Sequence, residues 1–225
     1  MSKKILLGVL FIVMMAMTLS AAPTLDGATG LIIMPTAESL KYKEFNLASD
    51  WMTRLVSGNN SVVWKYKANI GAFSGLELGF VGQNDREGVF INMKYYLISD
   101  NTKYPLKMAI GLDNLTSYSQ TDAYMVASKR FNALWAGHFG FKVDLANGQA
   151  NASLMLGSDY VLSENLSWLA DLNGEGSKYL INTGLRYSFH PNAMLSLSAV
   201  NICGEKTTDY PGTMFTFGLT WTDYL

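Results

Sequence analysis

Cysteine is almost missing from this chain: Cys203 stands alone among 225 residues. That excludes an intrachain disulfide and any multi-cysteine metal centre. With only two histidines besides, a structural zinc site has no ligand set, and no cofactor or metal is expected. Charge is scarce too. Asp, Glu, Lys and Arg make up 16% of the sequence, against the ~25% usual in soluble domains. The formal net charge of −1 offers nucleic acid no electrostatic attraction. Five prolines against 20 glycines and 12 tyrosines suit strands and turns better than helices or disorder. Nor does any uncharged apolar run reach the ~20 residues of a membrane helix. The longest, Ile5–Leu19, follows Lys3-Lys4 and precedes the small residues Ser20-Ala21-Ala22. This is the layout of a signal peptide, expected over residues 1–22.

What fills the remainder is alternation. In Ser177–Phe189, Tyr179, Ile181, Thr183, Leu185, Tyr187 and Phe189 share one face, and Lys178, Leu180, Asn182, Gly184, Arg186 and Ser188 the other. A period of two marks a strand between two different surroundings. At ~3.4 Å per residue and a tilt of ~40°, Tyr179 and Tyr187 stand about 21 Å apart, close to the ~25 Å apolar band of a membrane barrel. The same pattern recurs from Glu44 to Asp223, with an Asn-Gly hairpin signal at Asn147-Gly148. Thr121–Arg130 differs in having two similar faces. The expected fold is all-β: an antiparallel transmembrane β-barrel of about twelve strands, ten to fourteen, occupying residues 44–225. The competing fold is a soluble periplasmic β-sandwich that binds a ligand. Its second face would meet bulk water and carry many Lys, Glu and Thr; here that face is mostly Gly, Ser, Ala and Asn.

The polar face defines the expected lumen. Its candidate lining residues are Lys65, Lys67, Glu77, Lys94, Lys107, Asp113, His138, Lys142, Asp144, Lys178 and Arg186. Adding Arg54, Glu44, Asp50, Asp159 and Asp171, cations and carboxylates nearly balance. A selective pore shows one dominant sign, so the balance points to paired interior charges. Chemistry is thin. His138 could act as a base with Asp113 or Asp144, but neither histidine has a serine two residues on, and no Gly-x-Ser-x-Gly motif occurs. The chain is therefore expected not to be an enzyme. A barrel of twelve strands is wider than side chains alone can fill. Residues 23–43, without long alternation, are expected to plug or flank it.

That segment contains Gly27-Ala28-Thr29-Gly30-Leu31-Ile32-Ile33-Met34-Pro35-Thr36-Ala37. It resembles the N-terminal signature of the YjbH-type outer-membrane proteins linked to exopolysaccharide production, with Gly30, Leu31, Ile32, Pro35, Thr36 and Ala37 carrying the likeness. The resemblance implies an outer-membrane barrel with an accessory or secretion role and supplies no catalytic residues. The expectation is thus a non-enzymatic barrel of the cell outer membrane, a channel or accessory for exopolysaccharide or small solutes. Its partners would be outer-membrane lipid and the barrel-assembly machinery, without nucleic acid. The alternative is a closed structural or adhesive barrel.

Overall fold

The computed structural model describes residues 22–54, 61–98, 106–117, 121–145, 150–175, 178–204, 206–207 and 210–225. Residues 1–21, which hold most of the expected signal peptide, the turns expected at 57–60 and 146–149, and Ser177 lie outside them, as does the side chain of Arg54. Twelve strands follow one another: β1 (Glu44–Arg54), β2 (Ser61–Phe73), β3 (Leu76–Gln83), β4 (Arg86–Ile98), β5 (Lys107–Asp113) and β6 (Asp122–Arg130). They continue as β7 (Trp135–Asp144), β8 (Asn151–Ser163), β9 (Leu166–Glu175), β10 (Lys178–His190), β11 (Ala193–Val200) and β12 (Met214–Tyr224). Each pairs antiparallel with its neighbours in sequence, and β12 returns to β1 to close a barrel. The seam runs unbroken from Glu44↔Tyr224 to Arg54↔Met214. Closure rules out the sandwich and leaves no free sheet edge.

The polarity of the molecule is inverted. Trp64, Tyr66, Phe80, Tyr95, Phe141, Leu197 and Phe215 are exposed on the outer face. Lys67, Glu77, Lys94, Asp171 and Asn182 are buried on the inner one. A soluble protein does the reverse; a barrel in lipid has no other choice. Thirteen-residue strands such as β10 reach about 33 Å along the barrel axis at ~3.3 Å per residue and ~40° tilt, enough for the apolar band.

Three hydroxyls on the lipid side are met by indoles. The indole N–H of Trp64 donates to Ser49 on the adjoining strand. Trp135 donates to Ser158 at 2.8 Å and Trp168 to Thr183 at 3.0 Å. Trp51 stacks on Trp64 with centroids 6.1 Å apart toward one end of the barrel, and His190 stacks on Trp221 toward the other. We call the end that carries Glu44 and Tyr224 proximal and the opposite end distal. Proximal turns such as Ser74-Gly75, Glu164-Asn165 and Pro191-Asn192 are two residues long, each beside a register shift. Gly75 takes a φ of 82°, which a tight turn requires and a side chain resists.

An outward residue of a mid-barrel strand tests the lipid reading. Leu185→Arg is expected to lower the unfolding free energy in phospholipid vesicles by about 2–4 kcal/mol, read by denaturant titration. On a water-facing sheet the same change would cost no more than ~0.5 kcal/mol.

Candidate functional site

The inner wall alone is an odd surface. It sets buried charges beside apolar patches made by Met52, Val63, Leu169, Leu180, Val200 and Met214. Residues Ala22–Leu40 account for both. They lie inside the barrel, folded into two successive turns by the bridges Pro23↔Thr29 and Gly30↔Pro35. Leu25 N–H donates to Ile32 O at 2.8 Å, and Leu31 N–H to Met34 O at 2.9 Å. A Cβ on Gly30 would stand 2.3 Å from the Met34 carbonyl oxygen and 2.7 Å from Pro35 Cα, so only glycine admits the second turn. Leu25, Leu31, Ile32 and Ile33 pack on the first apolar patch, and Ala28, Met34 and Ala37 on Ala109, Tyr124, Val126 and Met155. This second contact explains why β6 shows two similar faces: its inward side packs against protein and its outward side against lipid.

This segment has little ladder of its own, so its backbone polar groups must bond elsewhere. The wall receives them from both sides. On β9, Asp171 Oδ2 accepts the consecutive amides of Ile32, Ile33 and Met34 at 2.8, 3.0 and 3.3 Å. On β10, Arg186 donates to the carbonyls of Gly30 and Leu31 at 3.2 and 3.1 Å. Across the lumen, Glu77 accepts the amides of Thr29 at 2.8 Å and Leu40 at 3.1 Å. Lys94 donates to the Thr29 carbonyl at 2.8 Å and to that of Glu38, and pairs with Glu77 at 3.5 Å. Lys67, ion-paired with Asp50, donates to Thr24 O at 2.7 Å. Lys65 reaches Leu25 O at 3.0 Å and Asp26 at 3.2 Å. Asn69 and Asn92 donate to the carbonyls of Gly27 and Asp26.

Other candidate lining residues serve the wall itself or its rims. Asp113 faces Asp122 across β5 and β6, and Asp122 faces Asp144 across β6 and β7, with Lys142 bound to Asp122 at 3.0 Å. Lys107 meets Glu38 of the segment at 3.5 Å near the proximal mouth. Lys178 is at the distal rim, donating to the Lys206 carbonyl. His138 is bonded neither to Asp113 nor to Asp144. Its Nε2 lies 2.9 Å from Asp159 Oδ1 and its Nδ1 2.8 Å from Ser128 Oγ. Those partners sit on the adjoining strands, where sequence distance hides them. The Ser128 hydroxyl also accepts the Ala37 amide at 2.9 Å. Of the motif residues, Gly30, Leu31, Ile32, Pro35, Thr36 and Ala37 are all buried within the lumen.

Below the segment, a cavity of about 730 Å³ opens at the proximal mouth, lined by Glu38–Tyr42, Tyr96, Lys107, Arg130 and Asp223 among others. Among the described residues no group of histidines, cysteines or carboxylates is arranged to hold a metal ion.

Two outcomes follow for the segment. Asp171→Ala leaves three enclosed amides without their acceptor, at about 1–3 kcal/mol for an unsatisfied group. Hydrogen-exchange protection at Ile32–Met34 is expected to fall at least tenfold while the barrel stays folded. Asp26 gives a pH dependence. Burial pushes its carboxyl up, but the Lys65 and Lys142 charges and hydrogen bonds from Lys65 and Tyr210 outweigh burial and hold it below the ordinary 3.8. Its contribution is therefore complete above pH 3.8 and is lost as pH falls through the lowered value. Amide exchange at Gly27–Thr29 is expected to speed up in that acid range, and Asp26→Asn to abolish the transition.

Neither a family model nor a curated protein matches the sequence. Among solved structures, the KdgM porin superposes with a TM-score of 0.57 at 12% identity, covering 77% of this chain and 98% of its own. The NanC porin gives a TM-score of 0.49 at 9% identity, over 80% and 99%. The likeness to the KdgM porin is one of fold: this chain is a closed antiparallel β-barrel of twelve strands.

Proposed function

We propose that the chain is an outer-membrane barrel whose lumen is closed by its own residues 22–40, and that small solutes pass when this segment withdraws. One observation carries the reading: charged side chains of the wall, buried away from lipid and water, are bonded to the backbone of the segment. Asp171, Arg186, Glu77 and Lys94 hold it from opposite sides. Charges enclosed at such cost need partners, and an always-open pore would offer them water instead. The two-residue proximal turns support placing that end in the periplasm, where bacterial barrels keep their short turns. The role calls on no catalysis. The likeness of Gly27–Ala37 to the YjbH-type signature favours exopolysaccharide, or an accessory to its export, as the cargo.

A second reading, a permanently closed structural barrel, is favoured by how fully the segment is bonded. Planar-bilayer recordings separate the two. The intact chain is expected to stay closed with rare, brief openings. Asp171→Asn combined with Arg186→Gln, or deletion of residues 22–40, is expected to open it for long periods. Steady conductance by the intact chain would contradict closure. Silence from both altered forms, each folded as judged by heat-dependent gel mobility, would overturn passage and leave the structural barrel.

A further inference from the structure

We propose that Ser128, His138 and Asp159 form a nucleophilic site for carboxylic esters, with Ala37 of the luminal segment set on the serine. Ser128 and His138 are direct cross-strand partners on β6 and β7. Asp159 comes from β8 on the same inward face, and all three are buried. The links of 2.8 Å from Ser128 Oγ to His138 Nδ1 and 2.9 Å from His138 Nε2 to Asp159 Oδ1 are hydrogen-bond distances. Arg130 Nη2 holds the other Asp159 oxygen at 3.3 Å.

The proton positions follow from the partners. Asp159, a carboxylate held by Arg130, can only accept, so His138 carries its proton on Nε2 and leaves Nδ1 free to accept. Ser128 Oγ already receives the Ala37 amide at 2.9 Å. Its own hydrogen is therefore directed to His138 Nδ1. This is the order a serine nucleophile requires: general base beside the hydroxyl, carboxylate behind the base. Holding Ala37 does not by itself account for it. A lone serine accepts an amide without help, whereas an enclosed imidazole and carboxylate each carry a desolvation cost.

Access is from the proximal cavity, whose lining includes Arg130, Lys107, Glu38 and Leu40. An ester entering there displaces Glu38 from Lys107, the residue paired across the sheet with Ser128. Ser128 Oγ then forms a bond to the acyl carbon while its proton moves to His138 Nδ1. The Ala37 amide turns from Oγ to the carbonyl oxygen as that oxygen gains charge. The C–O bond to the alcohol breaks, and His138 returns the proton to the departing alkoxide. Water, deprotonated by His138, then cleaves the acyl-serine and restores the hydroxyl, giving one carboxylic acid and one alcohol per ester. Asp159 acts as a positioning residue for the imidazole.

The test is covalent labelling of the full chain, folded in lipid vesicles, with a fluorophosphonate probe, the adduct being located by mass spectrometry. A single adduct on Ser128 is expected, absent from Ser128→Ala and slowed by about 10²–10⁴-fold in His138→Gln. Asp159→Asn serves as a second relay variant should His138→Gln not fold. Glu38→Ala, which removes the contact on Lys107 beside Ser128, is expected to speed the reaction. The proposal is overturned if neither the intact chain nor Glu38→Ala is labelled while both show the heat-dependent mobility of a folded barrel. It is equally overturned if the adduct forms on another serine, or if the relay variants label as fast as the intact chain. Because the readout is a covalent adduct, it is independent of conductance and of whether solutes pass.

Discussion

A stretch of chain without helix or sheet ladder can be enclosed only where something else receives its amides and carbonyls. Residues 22–40 face that constraint, and the interior of the barrel is arranged around it. One carboxylate, Asp171, gathers three consecutive amides, while Arg186 on the next strand takes the two carbonyls just before them. Glu77 and Lys94 repeat the division of labour on the far side. Charged groups suit the task because their hydrogen bonds are stronger than neutral ones, and because one carboxylate oxygen can accept from several donors. The dependence runs both ways. Without the segment these charges lose most of their partners, and the apolar inner residues Leu169, Leu180 and Val200 lose their cover.

The outer surface solves a different problem with a different vocabulary. Lipid offers no hydrogen bonds, so every strand must find its partner within the sheet, and the β1–β12 seam completes the circuit. Alternation then sends aromatic and aliphatic side chains outward along each strand. Ser49, Ser158 and Thr183, which fall on the outward parity, are matched by indoles from adjoining strands. The interior is thus a set of charge-to-backbone contacts and the exterior a set of apolar ones, separated by a single layer of backbone.

The outward half of this plan is plain in the sequence because lipid imposes one requirement on every strand, and a period of two reports it. The twelve-strand count and the outward faces of β10 and β12 follow directly from that. The inward half is less legible, since its requirement comes from a particular piece of chain. Tyr124 and Val126 look out of place on a polar face until Ala28, Met34 and Ala37 are set against them. Lys65 and Lys107 suggest pore lining, but their carboxylate partners, Asp26 and Glu38, stand in a stretch with no periodicity. Ser128, His138 and Asp159 escape a search for linear motifs because sheet register, rather than spacing along the chain, brings them together.

All five tryptophans of the chain, Trp51, Trp64, Trp135, Trp168 and Trp221, point away from the lumen. Three of them are hydrogen-bonded across a strand boundary. Tryptophan fluorescence therefore records insertion and strand pairing, through contact with lipid and through the indole bonds. It is blind to the luminal segment, because no indole faces that side of the wall. The molecule carries a built-in optical reporter for assembling its shell, and events in its interior need a probe placed there by design.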